Sequence, residues 1–385
     1  MKQADLASLP TRRIIGAGLE VSEIGFGGAP IGNFRFNASD DEAQGAMAAL
    51  WDGGGRYYDT SPFYGYGRSE LRVGRFLRGV DAHRYVLSTK VGRWMRPLRA
   101  GDDTSTLRAG GLPFFPTFDP SYDGAMRSLE QSYLRLGLKR IDIALIHDVD
   151  AFTHGSDAAA ERYFDLAMNG AYRALTELRR SGEVIAIGAG INETRWCRRF
   201  VEAGDFDCMM LAGQYTLLEH SAETLAFFDI CRQKQVGLLL AGVFNSGLLA
   251  GGAKSGATFH YNPPSPAILE RVVRIEKICQ AHGVSLNAAA IQFVLAEPLV
   301  KSAVLGATHA VLTDDSTAYV RGSGTIALDA HPDLAGVQAN GVGTAQLAAA
   351  TSAVQLFTRI GDRLYNLKST ATQDRKCTRL NSSHQ

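Results

Sequence analysis

No charge of either sign dominates this chain: 40 basic residues stand against 39 acidic ones, for a formal net charge of +1. Such a balance builds no long-range field, which argues against nucleic acid or an anionic membrane as the partner. Cysteine is scarce. Its five residues, Cys197, Cys208, Cys231, Cys279 and Cys377, form an odd set without C-x-x-C spacing. Neither a disulfide framework nor a zinc site is expected from them, and a reducing cytoplasm is the simplest home. No His, Cys or carboxylate cluster has ligand spacing, so no metal is expected. No stretch approaches the ~18 uninterrupted apolar residues of a membrane span, and the opening MKQADLASLPTRRIIGAG lacks a signal-peptide core. These absences point to a soluble, unprocessed protein. Its 385 residues, 45% hydrophobic and 21% charged, suffice for a substantial core in one large domain or two smaller ones.

What the chain does contain is an alternation of short apolar runs with longer amphipathic segments, the pattern of parallel strands joined by crossover helices. Eight strands are expected, at 22–27, 56–59, 85–90, 141–147, 184–189, 208–214, 237–243 and 302–306. Helices are expected at 40–51, 69–77, 121–136, 171–180, 194–202, 222–233 and 267–282. In SYDGAMRSLEQSYLRLGLKR, Ala125, Leu129, Tyr133 and Leu136 recur at helical spacing, and Gly137 stands where a C-cap glycine is common. This order suggests an α/β fold, a (β/α)8 TIM barrel, better than a doubly wound sheet. Active sites of such barrels lie at the carboxyl ends of the strands.

That rule gives meaning to RYYDTSPFYGYGRSE, residues 56–70, which reads otherwise as a strand end and its turn. Asp59 and Tyr64 follow the second strand, Lys90 ends the third in YVLSTKVG, and His147 ends the fourth in IDIALIHDVD. Each alone reads as an ordinary loop residue; together they converge on one mouth. A phenol is a poor acid near neutrality, with an ordinary pKa near ~10, but an ammonium beside it lowers that value. Lys90 is expected to supply the ammonium, Asp59 to orient and balance it, and His147 to orient the substrate oxygen or share its proton. The set is a tuned proton donor and acceptor without a nucleophile or metal cage.

With those residues in place, the chain resembles the aldo-keto reductases. The motifs GRYYDTSPFYGYGRSE, YVLSTKVG, MRSLEQSYLRLGLKRIDIALIHD, GEVIAIGAGINE and AGVFNSGLLAGG carry the resemblance over roughly residues 12–309. It implies a catalytic tetrad of Asp59, Tyr64, Lys90 and His147 and an NAD or NADP cofactor. It also implies that Asn192 and Gln214 hold the nicotinamide carboxamide, that Phe244 stacks on the nicotinamide, and that Ser246, Gly247 and Leu248 follow the pyrophosphate. Gly28 and Ala29 are expected to border the nicotinamide. FDPSYDGAMRSLEQSYLRLGL and NSGLLAGG resemble the aldose dehydrogenase branch, which includes D-threo-aldose (L-fucose) 1-dehydrogenases and pyridoxal 4-dehydrogenase. The implied reaction takes a sugar's anomeric hydroxyl to a lactone, or an aldehyde to an alcohol, on a small sugar-like or aldehyde substrate of carbohydrate metabolism. GAGLEV at Gly16 and GAGINE at Gly188 begin like Rossmann fingerprints but lack the third glycine. A nicotinamide-binding regulatory or interaction module on the same fold is the alternative.

The resemblance fades after SAVLGATHA. Residues 310–385 are expected to form an aberrant tail, rich in small residues, in place of the family's final helix and its grip on the adenosine end of the cofactor. DRKCTRLNSSH, residues 374–384, matches at all but one position the conceptual translation of a common sequencing adapter, DRKSTRLNSSH. The tail is therefore read as a frameshift or chimera ending in read-through, with no function assigned to it, and a damaged copy of the gene stays open. A genuine C-terminal extension stays open beside it.

Overall fold

The computed structural model describes residues 9–33, 37–105, 107 and 110–307, and the backbone of 357–360 and 363–366. The chain opens with a hairpin that the sequence pattern does not announce, β1 (Thr11–Ile14) and β2 (Leu19–Ser22). Its Ile14 and Val21 pack with Ile143, Ala186 and Cys208. These three residues begin strands of the barrel, so the hairpin plugs the barrel's amino-terminal end.

Eight parallel strands close on themselves: β3 (Ile24–Gly27), β4 (Tyr57–Asp59), β5 (Val86–Val91), β8 (Ile143–His147), β9 (Ala186–Ile191), β10 (Cys208–Ala212), β11 (Gly237–Ala241) and β12 (Val300–Gly306). The register pairing Ala303 of β12 with Ile24 of β3 completes the ring. On the way from β5 to β8 the chain forms an antiparallel hairpin, β6 (Arg93–Pro97) and β7 (Phe114–Phe118). All eight expected strands are present. The fifth is displaced by two residues, because the N–H groups of Glu183 and Val184 still turn back to Leu178 O, and the ladder begins at Ala186.

The expected helices appear as α1 (Asp40–Asp52), α2 (Arg68–Leu77), α3 (Tyr122–Leu136), α6 (Ala171–Ser181), α7 (Thr194–Ala203), α8 (Ala222–Lys234) and α10 (Pro266–Ala281). Ser39 and Glu42 form a reciprocal capping box on α1. Ser121 caps α3, whose buried face carries Ala125, Leu129 and Leu136 before the chain turns left-handed at Gly137. Four helices were not anticipated: α4 (Ala151–His154), α5 (Asp157–Asn169), α9 (Leu248–Gly251) and α11 (Leu286–Leu295). From Ala288 to Leu295 every residue of α11 is buried, so it lacks the polar face by which periodicity finds a helix. No single helix among the described residues is long and apolar enough to cross a membrane. A last antiparallel pair, β13 (Phe357–Ile360) and β14 (Arg363–Asn366), falls in the expected tail. The rest of 310–385 lies outside the described residues.

Candidate active site

At the carboxyl end of β4 the ladder delivers Asp59 into the barrel mouth, 3% exposed, opposite Lys90 of β5, 1% exposed. Lys90 Nζ donates to Asp59 Oδ1 at 2.6 Å, to Oδ2 at 2.7 Å and to Thr60 O at 2.9 Å. Ser88 Oγ donates to Asp59 Oδ1 at 2.5 Å. Tyr64 stands in the turn after β4; its carbonyl accepts the Ser69 N–H at 3.1 Å, tying the turn to the start of α2. Its ring meets His147, the last residue of β8, edge-on with centroids 5.8 Å apart. Lys90 Nζ lies 5.4 Å from the Tyr64 ring centroid. The four predicted residues thus share one pocket of side chains.

Their electrostatics differ from the expectation. Burial, then the carboxylates of Asp59 and Asp148, push the Tyr64 phenol well above its ordinary value, and Arg93 opposes them. Lys90 was expected to lower it. The Asp59 carboxylate that holds Lys90 acts on the phenol in the opposite sense, and the cation that opposes it is Arg93. Burial, reinforced by Arg93 and Lys90, also drives the His147 imidazole well below its ordinary value. Both groups are neutral at rest: one phenol and one imidazole, each able to donate a hydrogen bond.

The predicted cofactor residues follow the carboxyl ends of β3, β9, β10 and β11. Asn192, just past β9, has its amide nitrogen held by Asp148 Oδ1 at 3.1 Å and Asp150 Oδ2 at 3.0 Å, which leaves its oxygen as the acceptor for a ligand. Gln214 and Phe244 follow β10 and β11, whose ends pair Ala212 with Ala241, and both are half-buried. The next turn carries Asn245 and Ser246 at φ 45° and 60°, then Gly247 at 97°, before Leu248 opens α9. Gly28 is buried against the protein itself: a Cβ there would stand 2.7 Å from Asp59 O and 2.5 Å from Ser69 Oγ. Ala29, half-buried, leads into the turn at Pro30–Gly32.

The aldo/keto reductase family model matches residues 23–321, most of the chain. The chain belongs to the aldo/keto reductase family. It is 40% identical over 305 residues to a pyridoxal 4-dehydrogenase of Microbacterium luteolum, covering 77% of this chain and 88% of that protein. To a D-threo-aldose 1-dehydrogenase of a Pseudomonas species it is 39% identical over 309 residues, 79% of this chain and 90% of the other. The solved glycerol dehydrogenase AKR11B4 from Gluconobacter oxydans superposes with a TM-score of 0.59 at 24% identity, over 80% of this chain and 92% of its own, a likeness of fold. The reductase is accordingly an NAD(P)-dependent oxidoreductase.

The residues fit such a dinucleotide. Asn245 Oδ1 accepts from Thr216 Oγ1 at 2.6 Å, but its buried Nδ2 has no hydrogen-bond partner within the protein. A buried donor left unmet costs roughly 1–3 kcal/mol, and an anionic group over the 245–248 turn would meet it. Sequence reasoning missed three residues of this reductase's site: Arg93, Asp148 and Gly190. The only signal for Arg93 was a cation three positions beyond Lys90, and for Asp148 a carboxylate next to His147. Gly190 closes the floor, since a Cβ there would lie 3.3 Å from Lys90 Cε and 3.8 Å from His147 Cδ2.

Proposed function

We propose that the enzyme oxidises the anomeric hydroxyl of a cyclic hemiacetal, an aldose in the first place, to a lactone, and runs the same path in reverse to reduce an aldehyde. The observation that carries this reading is the edge-on meeting of two neutral donors, Tyr64 and His147, 5.8 Å apart, above a buried Lys90–Asp59 pair. A hydroxyl oxygen set between them has one partner for its proton and another to hold its developing carbonyl. The bound dinucleotide supplies the acceptor for the hydride that leaves C1. As that bond breaks, the hydroxyl proton passes to Tyr64 Oη, whose own proton has first left for solvent, while the His147 N–H orients the same oxygen. In reduction Tyr64 returns the proton as general acid. Lys90 and Asp59 act by holding the floor rigid and nearly neutral beneath the phenol.

The substrate class is supported by the two relatives near 40% identity, named for pyridoxal and for D-threo-aldose. Aldoses and pyridoxal share the capacity to close into a cyclic hemiacetal, whose oxidation gives a lactone. The test is to offer the full-length protein a panel of aldoses and pyridoxal with NAD or NADP. Reduced nicotinamide is followed by absorbance, and lactone is trapped with hydroxylamine as the hydroxamate. Hydroxamate in step with reduced cofactor, and slower turnover of C1-deuterated aldose, are expected. Turnover confined to simple alcohols, with no hydroxamate, would overturn the reading.

A further inference from the structure

Arg93 begins β6 just after Gly92, whose φ of 97° turns the chain off the end of β5. Its side chain is 7% exposed, and its guanidinium lies 4.4 Å over the Phe63 ring and 4.9 Å over that of Phe118. Nη1 sits 2.9 Å from Asp148 Oδ2 and 3.3 Å from His147 Nδ1. A guanidinium offers donors only. His147 Nδ1 must therefore present its lone pair, to Arg93 and to the Ser61 hydroxyl 3.2 Å away. The single proton of the neutral ring is then on Nε2, whose nearest carboxylate oxygen, Asp148 Oδ1, lies 3.4 Å away and already accepts from Asn192 Nδ2 at 3.1 Å.

We propose that Arg93 is a positioning residue for the reaction, fixing His147 as the neutral tautomer with its proton on Nε2 and free to serve the substrate oxygen. This rests on the tetrad reading above. The charged and titratable groups facing His147 are Arg93 from β6, Lys90 from β5, Tyr64 from the turn after β4 and Asp148 beside it in the chain. Without Arg93, Nδ1 loses a donor, and Asp148 becomes an unbalanced carboxylate next to the ring. Both changes favour the imidazolium, and the second draws the Nε2 proton away from substrate.

The experiment is ¹⁵N NMR of the full-length protein labelled at histidine, with the His147 signals assigned by their loss in His147→Gln. In the wild type at neutral pH, Nε2 should carry the proton and Nδ1 should not. Arg93→Met should raise the titration midpoint of His147 by at least about one pH unit, populate the Nδ1–H form, and move the acid limb of the kcat profile by the same amount. Arg93→Gln, a neutral donor, should keep the tautomer while still raising the midpoint; Arg93→Lys should keep both near wild type. A proton on Nδ1 in the wild type, or identical titrations in wild type and Arg93→Met, would overturn the proposal. If Arg93→Met does not fold, the wild-type tautomer and the Arg93→Gln midpoint decide. Wild-type turnover in Tyr64→Phe sinks the tetrad reading instead, whereas unmoved His147 spectra with Tyr64→Phe inactive sink the Arg93 proposal alone.

Discussion

Asp59→Asn keeps the shape beneath the active site and removes its negative charge. Lys90 Nζ would lose its ionic contacts at 2.6 and 2.7 Å and keep only neutral acceptors, the asparagine oxygen and Thr60 O at 2.9 Å. At that separation two unit charges attract by about 6 kcal/mol with an effective dielectric constant near ~20. Desolvation offsets much of this in the intact pair, but not in the half-pair, where removing one partner typically costs ~3–5 kcal/mol. Lys90→Met leaves Asp59 equally stranded. The double variant buries no unpaired charge, so its cost should fall below the sum of the singles by at least ~2 kcal/mol. Urea unfolding of the four proteins gives this coupling, and in thermal scans each single variant should melt roughly 10 °C lower at ~2–4 °C per kcal/mol. Because the side chains are 1% and 3% exposed, the coupling should persist at high salt. Additivity within ~0.5 kcal/mol would refute the argument and mean that the pair is not an energetic unit.

The barrel was legible because its strands, buried on both faces, read as short apolar runs, and because Asp59 and His147 end two of them and Lys90 stands one residue before the end of a third. Tyr64 was legible by adjacency to Asp59. The sign of its electrostatics was not, since the sequence displays the charge of Lys90 without showing that Asp59 takes it up. Arg93 was hidden for a related reason: it meets His147 across 54 residues, from a hairpin that is not among the expected strands. Asn192, read from the resemblance as a cofactor contact, lies just past β9 with its amide hydrogens facing Asp148 and Asp150, a commitment only three-dimensional contact reveals. What sequence pattern reports is position along the barrel; which charges cancel there is decided by side chains that meet from different strands.

Tyr64→Phe keeps the ring that packs against His147 and Lys90, so dinucleotide affinity measured by fluorescence titration should hold while turnover falls at least ~10²-fold; near-normal kcat would remove Tyr64 from the chemistry. Because the Tyr64 phenol is raised, it is protonated at neutral pH, so oxidation, which needs it as a base, should accelerate as pH rises into the alkaline range while reduction declines; a profile flat in both directions would contradict this. Gly190→Ala would press a methyl to 3.3 Å from Lys90 Cε, displacing the ammonium by a few tenths of an ångström. The expected result is about a tenfold loss of kcat, a fraction of the ~10²-fold that a 1 Å misplacement brings, with little change in melting temperature; unchanged kcat would show that Lys90 tolerates the shift. The last prediction concerns 310–385, proposed on sequence grounds to stand where the family has a helix closing the barrel and gripping the adenosine end of the cofactor. Covering a few hundred Å² of apolar surface at about 25 cal/mol per Å² is worth several kcal/mol, comparable with a domain's stability margin. Replacing the segment with a family-like amphipathic helix bearing basic residues at its start should therefore raise both the melting temperature and the dinucleotide affinity. If deleting the native segment instead lowers either quantity, that segment already performs the closing helix's work, and the proposal that it is foreign to the protein is wrong.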